Sequence, residues 1–126
     1  MNANEIAFKL DRALDLLEQA RKSISGANAW GIWDILGGGM ISSYLKHSSV
    51  KDAKRYAEEA DQILSSIDWT LLETKAPNIS IDNTLAFLDL FFDDFGIDIF
   101  VQTRIMKARK ELDQAISTLS YYRSLI

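Results

Sequence analysis

The sequence predicts an all-α fold, an antiparallel four- or five-helix bundle with long heptad-patterned helices, and three observations carry that prediction. Ile6, Leu10, Ala13, Leu17, Ala20 and Ile24 recur at alternating four- and three-residue steps with charged residues between them. Val101, Ile105, Ala108, Leu112, Ala115, Leu119, Tyr122 and Ile126 hold the same alternation to the last residue. Seams of this kind lay one apolar stripe along each helix, and antiparallel neighbours bury it. The only strand-like alternation, Ile79-Ser80-Ile81, has no partner strand to pair with and reads as a loop.

The elements follow in order. Ser25, Gly26 and Asn28 supply small and polar residues that end the first helix. A second helix is expected from Trp33 to Leu45, with Gly37, Gly38 and Gly39 inside it at about 1 kcal/mol each relative to Ala. Ser49-Val50-Lys51-Asp52 fits a Ser-x-x-acid cap, so a third helix begins at about Val50. Its seam is Ala53, Ala57, Ala60, Leu64, Ile67 and Leu71, widened by Tyr56 and Ile63, and Pro77 with Asn78 ends it. Asp82 or Asn83 caps a fourth helix from Thr84, and Gly96 divides that helix from the last, which is expected to pack on the first and third.

Composition bounds what such a bundle does. The 126 residues make one domain spanning 1–126, because single cores grow to about 150 residues before a chain divides. With 48% hydrophobic and 25% charged residues, the chain buries enough apolar surface to fold unaided. The absence of Cys excludes disulfides, thiolate metal sites and thiol catalysis. The first residues, MNANEIAFKLDRALDLLEQ, lack the apolar core of a signal peptide, so the expected location is cytoplasmic. Asp89, Asp93, Asp94 and Asp98 interrupt the most apolar window, which excludes it as a transmembrane span. A net charge of −4 repels phosphate backbones, and the bases of Lys46 to Arg55 and of Lys107 to Lys110 have acids among or beside them, Asp52 in the first group and Glu111 and Asp113 after the second, and read as solvated faces; no nucleic-acid partner is expected.

The most unusual stretch is Trp30-Gly31-Ile32-Trp33-Asp34-Ile35-Leu36-Gly37-Gly38-Gly39, followed by Lys46-His47-Ser48. Phosphate loops place their glycines after a strand, with a Lys or Ser at fixed distance, and that context is missing here. The glycines therefore read as a close-packing point, as does Gly96. A second stretch, Phe91-Phe92-Asp93-Asp94-Phe95-Gly96 with Val101, Gln102 and Arg104 downstream, has a similar order of aromatic, Asp, Gly and base. The two suggest a pseudo-repeat of helical hairpins around 30–53 and 89–108.

These motifs, W-G-x-W-D-x-x-G-G-G with K-H-S and F-F-D with Asp98 and V-Q-x-R-I, resemble a group of uncharacterised small all-helical bacterial proteins. The resemblance covers most of residues 30–53 and 91–105 and implies a helical fold and a bacterial source, with no activity attached. Asp94 stands where that group carries glycine, so the turn after Asp93 departs from its pattern.

On one helix Asp34 and Lys46 would lie about 18 Å apart, too far to pair. If the two motif helices pack antiparallel, Asp34 meets Arg104, and Asp93 or Asp98 meets Lys46 or His47, a buried polar cluster that would fix register between similar seams. The alternative is a divalent metal on His47, Asp93 and Asp98, although the paired Glu-x-x-His signature of bundle metal sites is absent. No nucleophile or oxyanion donor accompanies these residues, so neither catalysis nor a cofactor is expected.

Trp30, Trp33, Phe91, Phe92, Phe95 and Phe100 form either an aromatic layer closing the core or an interface. The leading expectation is a non-enzymatic interaction protein that self-associates, as a homodimer, with a separate protein partner as a further outlet. A ligand- or metal-binding bundle and a peripheral membrane protein are the alternatives.

Overall fold

The computed structural model describes the backbone of residues 1–35, 39–75, 81–96 and 102–126, and the side chains of 1–24, 51–75, 81–93 and 107–126. Among the described residues the chain is all-α: α1 (Ala3–Ile35), α2 (Gly39–Ser65), α3 (Thr70–Lys75), α4 (Ile81–Gly96) and α5 (Gln102–Ser124). No described helix is long and apolar enough to cross a membrane.

The α1 seam is buried throughout: Ile6, Leu10, Ala13, Leu17, Ala20 and Ile24 are all inaccessible to solvent. Asn2 starts this helix. Its Oδ1 accepts the Glu5 N–H at 2.8 Å, satisfying one amide that the first turn leaves without a helical partner, and its carbonyl accepts the Ile6 N–H at 3.1 Å as the first bond of the helix.

Several helix boundaries differ from expectation, among them the start of α4 at Ile81, ahead of the expected cap at Asp82 or Asn83. Ser25, Gly26 and Asn28 lie inside α1, and Ser48 and Ser49 lie inside α2. A local stop signal or cap is worth about 1 kcal/mol, and the long antiparallel contact of α1 with α2 outweighs it. Another boundary errs the other way. α2 stops at Ser65, and Asp68 restarts the helix by accepting the Thr70 N–H at 3.1 Å, so the stretch expected to run to Pro77 is broken into α2 and α3. Thr70, through its hydroxyl and its N–H, holds the Asp68 carboxyl below its ordinary value.

The helices close a ring. α1 packs on α2 and α5, and α4 packs on the same two helices from the other side. α5 thus touches α1 as expected, and it also packs on α4. Ala53, Ala57 and Ala60 present almost no side-chain bulk to the centre, and α5 contributes Ala108 and Ala115 beside Leu112, Leu119 and Tyr122. Ile81, Leu88 and Phe91 of α4 complete the core with Leu72 of α3.

Register between α1 and α5 is marked by two reciprocal ion pairs. Arg21 Nε donates to Asp113 Oδ1 at 2.7 Å, and Arg123 Nε donates to Asp11 Oδ1 at 2.9 Å. Leu10, Asp11, Ala13, Leu17, Arg21 and Ile24 recur in the same order and spacing as Leu112, Asp113, Ala115, Leu119, Arg123 and Ile126. Two helices carrying one pattern and running antiparallel are related by a local two-fold axis, so each Asp meets the other helix's Arg. This internal likeness joins different segments from the pair of motifs singled out above.

Candidate functional site

A groove of about 320 Å³ runs between α2 and α4 and is closed at one end by the α2–α3 turn. Asp61, Leu64 and Ser65 face it from α2 at helical steps of three and four. Leu85, Leu88, Asp89 and Phe92 face it from α4 at the same steps, and Ile67 and Trp69 line it from the turn. Leu64, Ile67 and Leu88 are buried and form its floor, while the half-buried Leu85, Trp69 and Phe92 form its walls.

The turn holds its shape through bonds on several sides. Lys9 Nζ of α1 donates to the Ser66 carbonyl at 3.1 Å and to its Oγ at 2.8 Å, while Ser66 Oγ donates to the Ile63 carbonyl at 2.6 Å. The Trp69 ring stands edge-on to Tyr122 of α5 at 6.2 Å, and the Tyr122 hydroxyl lies 2.6 Å from Thr84 Oγ1 of α4. Within α4 the Phe91 ring sits 4.9 Å from Phe92 and 6.3 Å from Phe87 between centroids.

Electrostatics give the groove a sign. α4 carries Asp82, Asp89, Asp93 and Asp94 with no Lys or Arg. Asp89 and Asp93 repel each other at an i,i+4 spacing, and Asp93 lies near the helix C-terminus, where the backbone dipole is also negative. Burial raises the Asp61 carboxyl above its ordinary value. The charge on Asp89 raises it further, the Ser65 hydroxyl offsets part of this, and the Asp93 charge adds to it. Among the described residues no cation pairs with these three carboxylates, and no three potential ligands converge closely enough to hold a metal ion.

The expected site residues fall unevenly on this picture. Phe91 is buried in the core and Phe92 lines the groove, so these neighbouring aromatics have separate roles. Asp93 is exposed on α4, one helical turn beyond the groove residue Asp89. Gly96 ends α4 as expected, and Gly39 is the first residue of α2. Asp34 belongs to α1 and Lys46 to α2, which removes the premise that they share one helix. The side chains of Trp30, Trp33, Asp34, Lys46, His47, Phe95 and Arg104 lie outside the described residues, as do Gly37, Gly38, Asp98 and Phe100 in full.

Sequence reasoning missed Asp61, Leu85, Leu88, Asp89 and Trp69 as partners in one site. The signal was present on α4, where Ile81, Leu85, Leu88 and Phe92 keep helical spacing. On α2, Asp61 stands one residue from the buried Ala60, at the edge of the apolar stripe. Compared with known protein families, curated proteins and solved structures, the chain matches none of them.

Proposed function

We propose that the chain is a non-enzymatic helical interaction protein whose working surface is the groove between α2 and α4. The observation that carries this reading is the union of an apolar floor and aromatic walls with carboxylates that lack a cationic partner among the described residues. Such a surface leaves both apolar area and negative charge to be covered, and a bound protein segment covers both at once. The α2–α3 turn, tied to α1 through Lys9 and to α5 through Trp69, holds one end of the groove in place. The groove residues are largely apolar, and the one hydroxyl–carboxylate contact among them, Ser65 with Asp61, has no oxyanion donor or third group named beside it.

Association hot spots also capture small organic molecules, because the same desolvated apolar contacts hold both. Titrating the full chain with isopropanol, followed by proton–nitrogen correlation spectra, tests the reading. Shifts concentrated on Leu85, Leu88, Phe92 and Trp69 are expected; shifts spread evenly, or gathered on another face, overturn it.

A further inference from the structure

The outer face of α1 carries a patch complementary to this groove. Phe8 is 67% exposed, the largest exposure among the large hydrophobic side chains of the described residues. Arg12, one helical turn away, is exposed on the same face. The two acids nearest Arg12 in sequence are engaged elsewhere: Asp11 accepts from Arg123 at 2.9 Å and Asp15 accepts from Gln19 at 2.9 Å. Among the described residues Arg12 itself makes no ion pair. An aromatic ring and a guanidinium at i,i+4 thus match, in size and charge, a groove walled by Trp69 and Phe92 and edged by Asp61 and Asp89.

We infer that the groove is occupied by the Phe8–Arg12 face of a second copy of this chain, with Phe8 seated against Leu85, Leu88 and Phe92 and Arg12 paired with Asp61 and Asp89. This inference rests on the groove being an interaction surface. Lys9, next to Phe8 in sequence, bonds to Ser66 in the turn that closes the groove, which sets this stretch of α1 level with that end of the groove. A two-fold dimer then forms both contacts twice, each copy giving its patch and receiving the other's. Like-charged pairs at such a contact are strongly unfavourable, which makes charge exchange a selective test.

The experiment uses the full chain and two surface variants, Arg12→Glu and Asp89→Lys, measured by sedimentation equilibrium, with circular dichroism to verify that each folds. The wild-type chain is expected to dimerise, and each variant alone to associate on the order of a hundredfold more weakly. An equimolar mixture of the two regains the dimer. In the mixed pair the carboxylate introduced on α1 of one copy meets the ammonium introduced on α4 of the other, and the remaining Arg12 meets an unaltered acidic groove. Phe8→Ser weakens the wild-type dimer without altering the helical spectrum. A wild-type chain that stays monomeric to millimolar concentration overturns the inference. So does a variant that dimerises undisturbed, or a mixture that fails to recover. Isopropanol mapping decides the groove reading separately, so the two fail in different ways.

Discussion

The hydroxyls of Tyr122 and Thr84 lie 2.6 Å apart across the α4–α5 contact, and the Tyr122 ring behind that bond is fully buried. One side chain therefore ties α5 to α4 through its hydroxyl and to the α2–α3 turn through its contact with Trp69. Tyr122→Phe keeps the ring and removes the hydrogen bond, a loss of about 1 kcal/mol that lowers the melting temperature by roughly 3–6 °C. Tyr122→Ala also opens a cavity, at about 3–5 kcal/mol. Thermal unfolding of both variants checks the order, and equal losses would show that the hydroxyl rather than the ring dominates.

The ion pairs Arg21–Asp113 and Arg123–Asp11 join half-exposed side chains, so their worth is limited by solvent screening. A double-mutant cycle on Arg21 and Asp113 should return a coupling of about 0.2–1 kcal/mol that shrinks in high salt. A salt-insensitive coupling of several kcal/mol would mean that the pair is shielded from water. Exchanging the charges at both positions should restore most of the coupling, since the antiparallel register would be unchanged.

Ala60 is inaccessible to solvent on the face that α2 turns to the core. Ala60→Leu adds bulk where α2 has none and should destabilise the fold by about 1–3 kcal/mol, read from denaturant unfolding. The same substitution at the exposed Glu59 should be close to neutral. If Ala60→Leu is equally neutral, α2 does not pack there through its small residues.

Asp61 gives a pH prediction with a definite sign. Burial, Asp89 and Asp93 raise its carboxyl in the folded state, against the Ser65 hydroxyl. The folded protein therefore holds the Asp61 proton more tightly than the unfolded chain does, and ionising Asp61 weakens the fold. Asp61→Asn should raise the melting temperature at neutral pH. The gain should shrink as pH falls through the raised folded value and vanish below the ordinary value of 3.8. A gain that persists in strong acid would trace to something other than the charge.

Much of the fold was legible because heptad seams report burial directly. Every seam position of α1 is buried, as are Ala53, Ala57, Ala60, Leu64 and Ile67 around α2 and Ala108, Leu112, Ala115, Leu119 and Tyr122 on α5. Boundaries were less legible, since Gly26 and Ser49 carry local preferences that the α1–α2 contact overrides, whereas the expected continuous helix breaks after Ser65 and Asp68 caps its restart at Thr70. The groove was hardly visible. Asp61 and Asp89 are far apart in sequence, and only the packing of α2 against α4 sets them on one site.

Proton–nitrogen correlation spectra of the wild-type chain, recorded from micromolar to millimolar concentration, test most directly the central claim that the α2–α4 groove is the association surface. The resonances predicted to move with concentration are those of Asp61, Trp69, Leu85, Asp89 and Phe92, together with Phe8 and Arg12. Resonances that stay still throughout, or that move instead around Lys54, Glu58 and Lys110 while the groove stays unchanged, would contradict it.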